Sequence, residues 1–268
     1  MTFADKTIVI TGGASGIGAA LARKFSEEGA RVCVADIDEM SASQLAAEIG
    51  GMALRCDVSQ EDEIKSAISK TEARLGKVDI FVSNAGIVRP QSGHAASASD
   101  EDWDLNWRVH VMAHVWAART LLPSMISRGS GYFVNIASAA GLLNQIGNAA
   151  YSATKHAAVS FGESLRISHS HEGIGVSVVC PQYVATPLIG LGNADARGSL
   201  LTAGQVAEAI IAGVETNTFL ILSHPGVHDY ALQRAQDHAR WIRGMQALRA
   251  KAESAFGHAG AENLYRLV

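Results

Sequence analysis

Tyr151-Ser152-Ala153-Thr154-Lys155 sets a phenol and an ammonium group four residues apart, a spacing that places both on one face of a helix. A tyrosine near its ordinary pKa of about 10 is a poor base at neutral pH, but a neighbouring lysine cation favours the phenolate. Such a pair can take a proton from an alcohol and return it. Ser138 stands 13 residues upstream, just after an apolar run that reads as a strand, where its hydroxyl can hold the same substrate oxygen. The plain alternative is an amphipathic helix that exposes a Tyr and a Lys.

A second group of residues speaks of phosphate. Thr11-Gly12-Gly13-Ala14-Ser15-Gly16-Ile17-Gly18 follows the strand-like run Thr7-Ile8-Val9-Ile10 and opens a helix. In that context the glycines let backbone approach a pyrophosphate, and the helix N-terminus offers free N–H groups and a partial positive charge. An ordinary tight turn is the alternative. Asp36 ends the second strand, 18 residues beyond Gly18, where a carboxylate accepts from adenosine ribose hydroxyls and repels a 2′-phosphate. Ser15 and Ile37 leave no basic side chain to neutralise that phosphate, so the reading is NAD rather than NADP. Asp57-Val58 and Asn84-Ala85-Gly86 follow the third and fourth strands, although any strand-to-helix turn favours Asp, Asn and Gly.

The elements that must position these groups alternate. Strand-like runs at residues 31–36, 53–56, 78–82, 132–136 and 176–180 are separated by helix-period segments near 40–49, 60–75, 101–128 and 150–171. This is the pattern of a parallel sheet built by right-handed crossovers. Thr202 with Gln205 forms a capping box ahead of Val206, Ile210 and Val214, Phe219–Leu222 reads as a last strand, and residues 227–252 as a terminal helix. The predicted fold is α/β: a single-domain, Rossmann-type, doubly wound parallel sheet of about seven strands with helices on both faces, spanning 1–268. Residues 223–268 form its C-terminal helical extension. The small, polar stretch 190–199 suggests a lid.

Composition narrows the class. Of the 268 residues 48% are hydrophobic, and 26 are glycine against 5 proline, which suits a large core with many tight turns. A net charge of −4 with no basic stripe argues against a nucleic-acid partner. No secretory signal precedes the first strand, and no apolar run reaches the roughly 18 residues of a membrane span, so a soluble cytoplasmic protein is expected. Cys33, Cys56 and Cys180 sit in strand-like runs and read as buried free thiols. No metal is expected.

Taken in order, these motifs resemble the short-chain dehydrogenase/reductase family over about residues 5–222, and 219–225 with the terminal helix resembles its aromatic-alcohol and lignin-dimer Cα-dehydrogenase branch. The resemblance implies an NAD-dependent oxidoreductase acting between a secondary alcohol and a ketone. Tyr151 would be the general acid/base, helped by the positive nicotinamide of NAD+. Lys155 would lower the Tyr151 pKa and hold the nicotinamide ribose, and Ser138 would orient the substrate oxygen. Gly12, Ser15, Gly16, Ile17, Gly18, Asp36, Ile37, Asp57, Val58, Asn84, Ala85 and Gly86 would bind the cofactor. Pro181, Val184 and Thr186 join them in a PGxVxT-like segment in which Gln182 replaces glycine and leaves the loop's path open. Many relatives carry an asparagine that holds a water beside the lysine; counting from Trp103 puts His110 there, as a proton relay or as a packed structural histidine. Substrate contacts are expected from 93–98, 139–148 and 183–199, with Leu142, Leu143 and Ile146 forming an apolar wall for a bulky hydrophobic or aromatic substrate. A homotetramer or homodimer is implied. Two alternatives use the same motifs: an NAD-retaining lyase or epimerase, and a non-enzymatic NAD-binding redox sensor.

Overall fold

Strands covered on both faces must be apolar through their middle, and the central strands are. In β1 (Thr7–Thr11), Ile8 and Ile10 enter one core while Val9 enters the other. In β2 (Arg31–Asp36), Val32 and Val34 join the first core and Cys33 and Ala35 the second, the two-residue period of a pleated strand. The chain continues through β3 (Met52–Arg55), β4 (Ile80–Ser83), β5 (Gly131–Ile136), β6 (Ile174–Val179), the short strands β7 (Val184–Ala185) and β8 (Leu201–Thr202), and β9 (Leu220–Ile221). Seven of them make one sheet, ordered β3-β2-β1-β4-β5-β6-β9 and parallel throughout. The computed structural model describes residues 1–89, 93–192, 196, 199–257 and 264–267.

The helices follow as α1 (Gly16–Glu27), α2 (Glu39–Ile49), α3 (Glu61–Leu75), α4 (Asp100–Trp107), α5 (Ala113–Ser127), α6 (Ala140–Leu143), α7 (Ala149–His169), α8 (Ala203–Glu215), α9 (Gly226–Gln236) and α10 (His238–Phe256). Helices α1, α2 and α8 close the first core; α3, α5 and α7 close the second. Because β2 and β3 lie on one side of β1 and β4 on the other, the turns leaving β1 and β4 diverge. A crevice opens at the carboxyl edge of the sheet, where open α/β sheets bind ligands.

The expected seven-stranded sheet is what the chain forms; most element ends shift by a residue or two, and three differences have a clear physical cause. The strand expected from Val78 begins at Ile80, after the Asp79 carboxylate has accepted the Thr7 N–H (2.9 Å). The helix expected over 101–128 is helical throughout, yet Arg108–Met112 forms a π turn between α4 and α5. The wider turn lets three successive residues, Val109, His110 and Val111, all be buried, which an α-helical turn does not favour. The terminal helix breaks at Asp237, whose backbone (φ −144°, ψ 86°) is extended and whose carboxylate caps α10 by accepting the Arg240 N–H. Of the 190–199 stretch read as a lid, residues 193–195, 197 and 198 lie outside the described residues.

Helix α1 sits unusually close to the loop that precedes it. A Cβ at Gly18 would run into the Gly12 carbonyl and the Asn84 amide. Gly18→Ala is therefore expected to destabilise the protein by roughly 1–3 kcal/mol and to weaken NAD binding. Thermal melts and a cofactor titration test this; a variant with wild-type melting temperature and affinity would contradict the packing argument.

Candidate active site

The crevice holds a cleft of about 330 Å³. Its lining contains every nucleotide-site residue predicted from sequence except Gly18, which packs behind the loop, and it also contains Ser138, Tyr151 and Lys155. The two turns that form it are tied together. Asn84 donates its side-chain amide to the Thr11 and Gly12 carbonyls (both 2.9 Å), and the Thr11 hydroxyl accepts the backbone N–H groups of Asn84 (3.0 Å) and Ala85 (3.3 Å). Gly12 takes φ +60°, and a Cβ there would meet the backbone of Ala85. Sequence reading noticed Asn84 as a motif member; Thr11, its reciprocal partner, carried no separate signal.

The donor set fits a dinucleotide. Ser15 enters α1 in extended conformation without a side-chain cap, and Ser15, Gly16 and Ile17 line the cleft, so the first N–H groups of the helix are left uncapped beside it, as a pyrophosphate requires. The Asp36 carboxylate lines the cleft while its oxygens accept the N–H of Ala14 (2.9 Å) and of Asp38 (3.0 Å). A carboxylate has about four acceptor directions, so two remain for ribose hydroxyls. Asp36 thus also anchors the glycine loop, a duty the motif did not reveal.

Tyr151 enters the cleft from the first turn of α7, where the Asn148 carboxamide caps the helix by accepting the Tyr151 N–H (3.3 Å). One turn on, the buried Lys155 ammonium donates to the Ile136 carbonyl (3.0 Å) and lies 5.6 Å from the centre of the Tyr151 ring. Burial pushes the Tyr151 phenol above its usual 10, opposed by a hydrogen bond with Ser138, and burial brings the Lys155 ammonium down to about 8. Lysine was expected to lower the phenol. Among the protein's own groups desolvation prevails instead, and the phenol's pKa rises.

His110 is fully buried, on the inward side of the π turn, and outside the cleft lining. Its Nε2 accepts the Ile87 N–H (3.1 Å), so Nδ1 carries the proton and donates to the Thr154 hydroxyl (3.0 Å), with the ring edge-on to Tyr151 at 5.3 Å. Both nitrogens are committed to the loop after β4 and to α7, and the hydrogen bonds run to those groups rather than to Lys155. Burial drives its pKa well below 6.5. One turn later lies His114, also buried and held down to about 3 by desolvation.

After β6 the Pro181–Pro187 loop closes the cleft. Gln182 does not take a positive φ, so the loop needs no glycine there. His224, which the sequence marks only as part of the 219–225 segment with no role of its own, fixes the path: its Nδ1 accepts the Gln182 N–H (3.1 Å) and its Nε2 donates to the Tyr183 carbonyl (3.0 Å). The apolar wall expected from Leu142, Leu143 and Ile146 is reduced to Leu143. Leu142 packs into a small core with Leu222 and Val227, and Ile146 lines neither cavity beside Ser138.

Residues 6–196 match the family model described as short chain dehydrogenase. Momilactone A synthase from Oryza sativa subsp. japonica is 33% identical over 89% of this chain and 86% of its own. (+)-Borneol dehydrogenase 2 of Salvia officinalis is 30% identical over 91% of this chain and 87% of its own. The solved structure of a short chain dehydrogenase/reductase from Burkholderia phymatum in complex with NAD superposes with a TM-score of 0.80 at 28% identity, covering 88% of this chain and 95% of that one.

Two outcomes follow from the buried histidines. His110→Ala leaves the Ile87 N–H without its acceptor and is expected to cost roughly 1–3 kcal/mol, with His110→Asn recovering part of it. Equal melting temperatures for wild type and His110→Ala would contradict that. His114 ionises near 6.5 when unfolded and near 3 when folded. Below pH 6.5 the unfolded chain therefore binds a proton that the folded chain refuses, and stability falls with pH, by roughly 2 kcal/mol at pH 5. Melts from pH 7.5 to 5 should show a shallower slope for His114→Leu; an unchanged slope would refute the assignment.

Proposed function

The chain belongs to the short chain dehydrogenase family, and from that premise we propose that it is an NAD-dependent alcohol dehydrogenase and ketone reductase. One observation carries the reading: Ser138, Tyr151 and Lys155 share a single cleft with the glycine loop and Asp36. NAD, when bound, supplies the acceptor or donor of the hydride.

In the oxidising direction Tyr151 removes the alcohol proton while Ser138 hydrogen-bonds the same oxygen, and the carbinol hydrogen leaves as hydride; reduction returns the proton from Tyr151. Lys155, one turn from Tyr151, would favour the phenolate by its charge and would hold the nicotinamide ribose when the cofactor is bound. His110 acts in this reading as a positioning residue, holding the π turn against α7 so that Tyr151 keeps its aim. The substrate is a bulky, hydrophobic or aromatic secondary alcohol or ketone, a class that the relative named as a borneol dehydrogenase fits. A cytoplasmic homotetramer or homodimer completes the reading, by resemblance to the family.

The test is a panel of secondary alcohols and ketones followed by NADH absorbance, with NAD and NADP compared. NAD is expected to be preferred by more than about tenfold in kcat/KM, since Asp36 meets a 2′-phosphate with like charge. Tyr151→Phe is expected to lose about 10²-fold or more in kcat at nearly unchanged NAD affinity. Retention of a tenth of wild-type kcat, or equal use of the two cofactors, would overturn the corresponding assignment.

A further inference from the structure

Helix α10 packs on the small core of Ala139, Leu143 and Val227 through Trp241 and buries Ala252, but much of the same face is left lining a cavity. Asp237, Arg240, Trp241, Gly244, Met245 and Leu248 recur at intervals of three and one, the spacing of a single helical stripe, and all six line a cavity of about 630 Å³. Tyr230 and Gln233 of α9 continue that wall. The opposite wall contains Ser138, Gln145, Gln182 and Tyr183, the four residues this cavity shares with the cofactor cleft. The two C-terminal helices therefore roof a chamber that opens at the Ser138 hydroxyl. They are held there by the Arg234 guanidinium, which donates to the Leu142 carbonyl (2.7 Å), and by Val227, buried against Leu143.

The chamber is polarised. Its middle is aromatic and apolar, with the Tyr230 and Trp241 rings 6.3 Å apart and Met245 and Leu248 beside them. At the α10 side stand two guanidinium groups, Arg240 and Arg243, one helical turn apart. The other arginines of this region are occupied: Arg249 pairs with Glu253 (2.8 Å), Arg234 holds Leu142, and Arg266 lies over the Phe256 and Tyr265 rings. Arg240 and Arg243 have no carboxylate partner among the described residues. The single acidic residue on the cavity wall among the described residues, Asp237, accepts the Arg240 backbone N–H with one oxygen as the cap of α10.

We propose that the C-terminal helix pair is the substrate-recognition element, and that it takes an elongated substrate with an aromatic or apolar body and an anionic group, a carboxylate or its equivalent, held by Arg240 and Arg243. A cavity of this size accommodates a two-ring body, and guanidinium groups left without partners beside an apolar wall match an anion carried on such a body. The assignment rests on Ser138 and Tyr151 as the reaction centre.

The experiment measures calorimetric binding of biphenyl-4-carboxylate and of biphenyl-4-carboxamide to the NADH-loaded protein, and turnover of 4′-(1-hydroxyethyl)biphenyl-4-carboxylate. The carboxylate is expected to bind about tenfold tighter than the carboxamide. The gap should close in the Arg240→Gln/Arg243→Gln variant and narrow with added salt, whereas Trp241→Ala should weaken both ligands alike. Arg240 and Arg243 are exposed, so the double variant is expected to fold; NADH affinity and melting temperature confirm it. Equal affinities in the wild type, or a gap that survives the double substitution, overturn the proposal. Discrimination without turnover of the hydroxyethyl compound leaves the anion site standing and counts against the dehydrogenase reading, whereas turnover of neutral alcohols without discrimination does the reverse.

Discussion

Holding a half-buried phenol and a buried ammonium group in the same site is the constraint on which the rest of the structure depends. Desolvation favours the neutral form of each, so the Tyr151 pKa rises and the Lys155 pKa falls to about 8. Neither side chain is then a good acid or base by accident of exposure; each responds strongly to the charges brought beside it. Such a pair must be held at fixed distance, and the fold does this with backbone. Asn148 caps the first turn of α7 at the Tyr151 N–H, the Ile136 carbonyl at the end of β5 receives the Lys155 ammonium, and His110 braces α7 through Thr154. The same carboxyl edge of the sheet carries the glycine loop, tied by Asn84 to the turn after β4.

Much of this is legible in the sequence because it is local. Strand runs buried on two faces, a glycine loop between strand and helix, and a Tyr and Lys one turn apart all carry their signal within a few residues. What escapes is what needs the third dimension. The π turn at Arg108–Met112 leaves no mark in hydrophobic periodicity, because a helix with one inserted residue still reads as helical. The Asp36 carboxylate holding Ala14, and His224 bridging Gln182 and Tyr183, join residues 22 or about 42 apart in the chain, which no short motif encodes. Leu142 was misplaced for the same reason: an apolar residue near a site is as readily core as wall, and only the docking of α9 decides it.

The C-terminal helices show how one scaffold separates chemistry from selection. The sheet and its helical crossings fix where Ser138, Tyr151 and Lys155 meet the cofactor cleft, whereas α9 and α10 attach at the edge, packed on Ala139 and Leu143, and face Ser138 across a cavity. Elements attached in this way can change their lining without disturbing the strands beneath. The stripe along α10 is polar at one margin and apolar at the other, so the chamber offers a ligand both shape and charge. Tyr183 stands at the boundary of cleft and chamber, lining both, and its ring lies against that of Tyr265.

The central claim is that Tyr151 is a half-buried phenol whose pKa desolvation raises and a positive charge placed beside it lowers. The direct measurement is the ultraviolet absorbance of tyrosinate against pH, taken as the difference between wild type and Tyr151→Phe, for the free protein and for its NAD+ and NADH complexes. The account predicts an apparent pKa above 10 in the free protein, a marked fall with NAD+, whose nicotinamide is positive, and little change with NADH. The same pKa in all three forms, or a free-protein value well below 10, would contradict it.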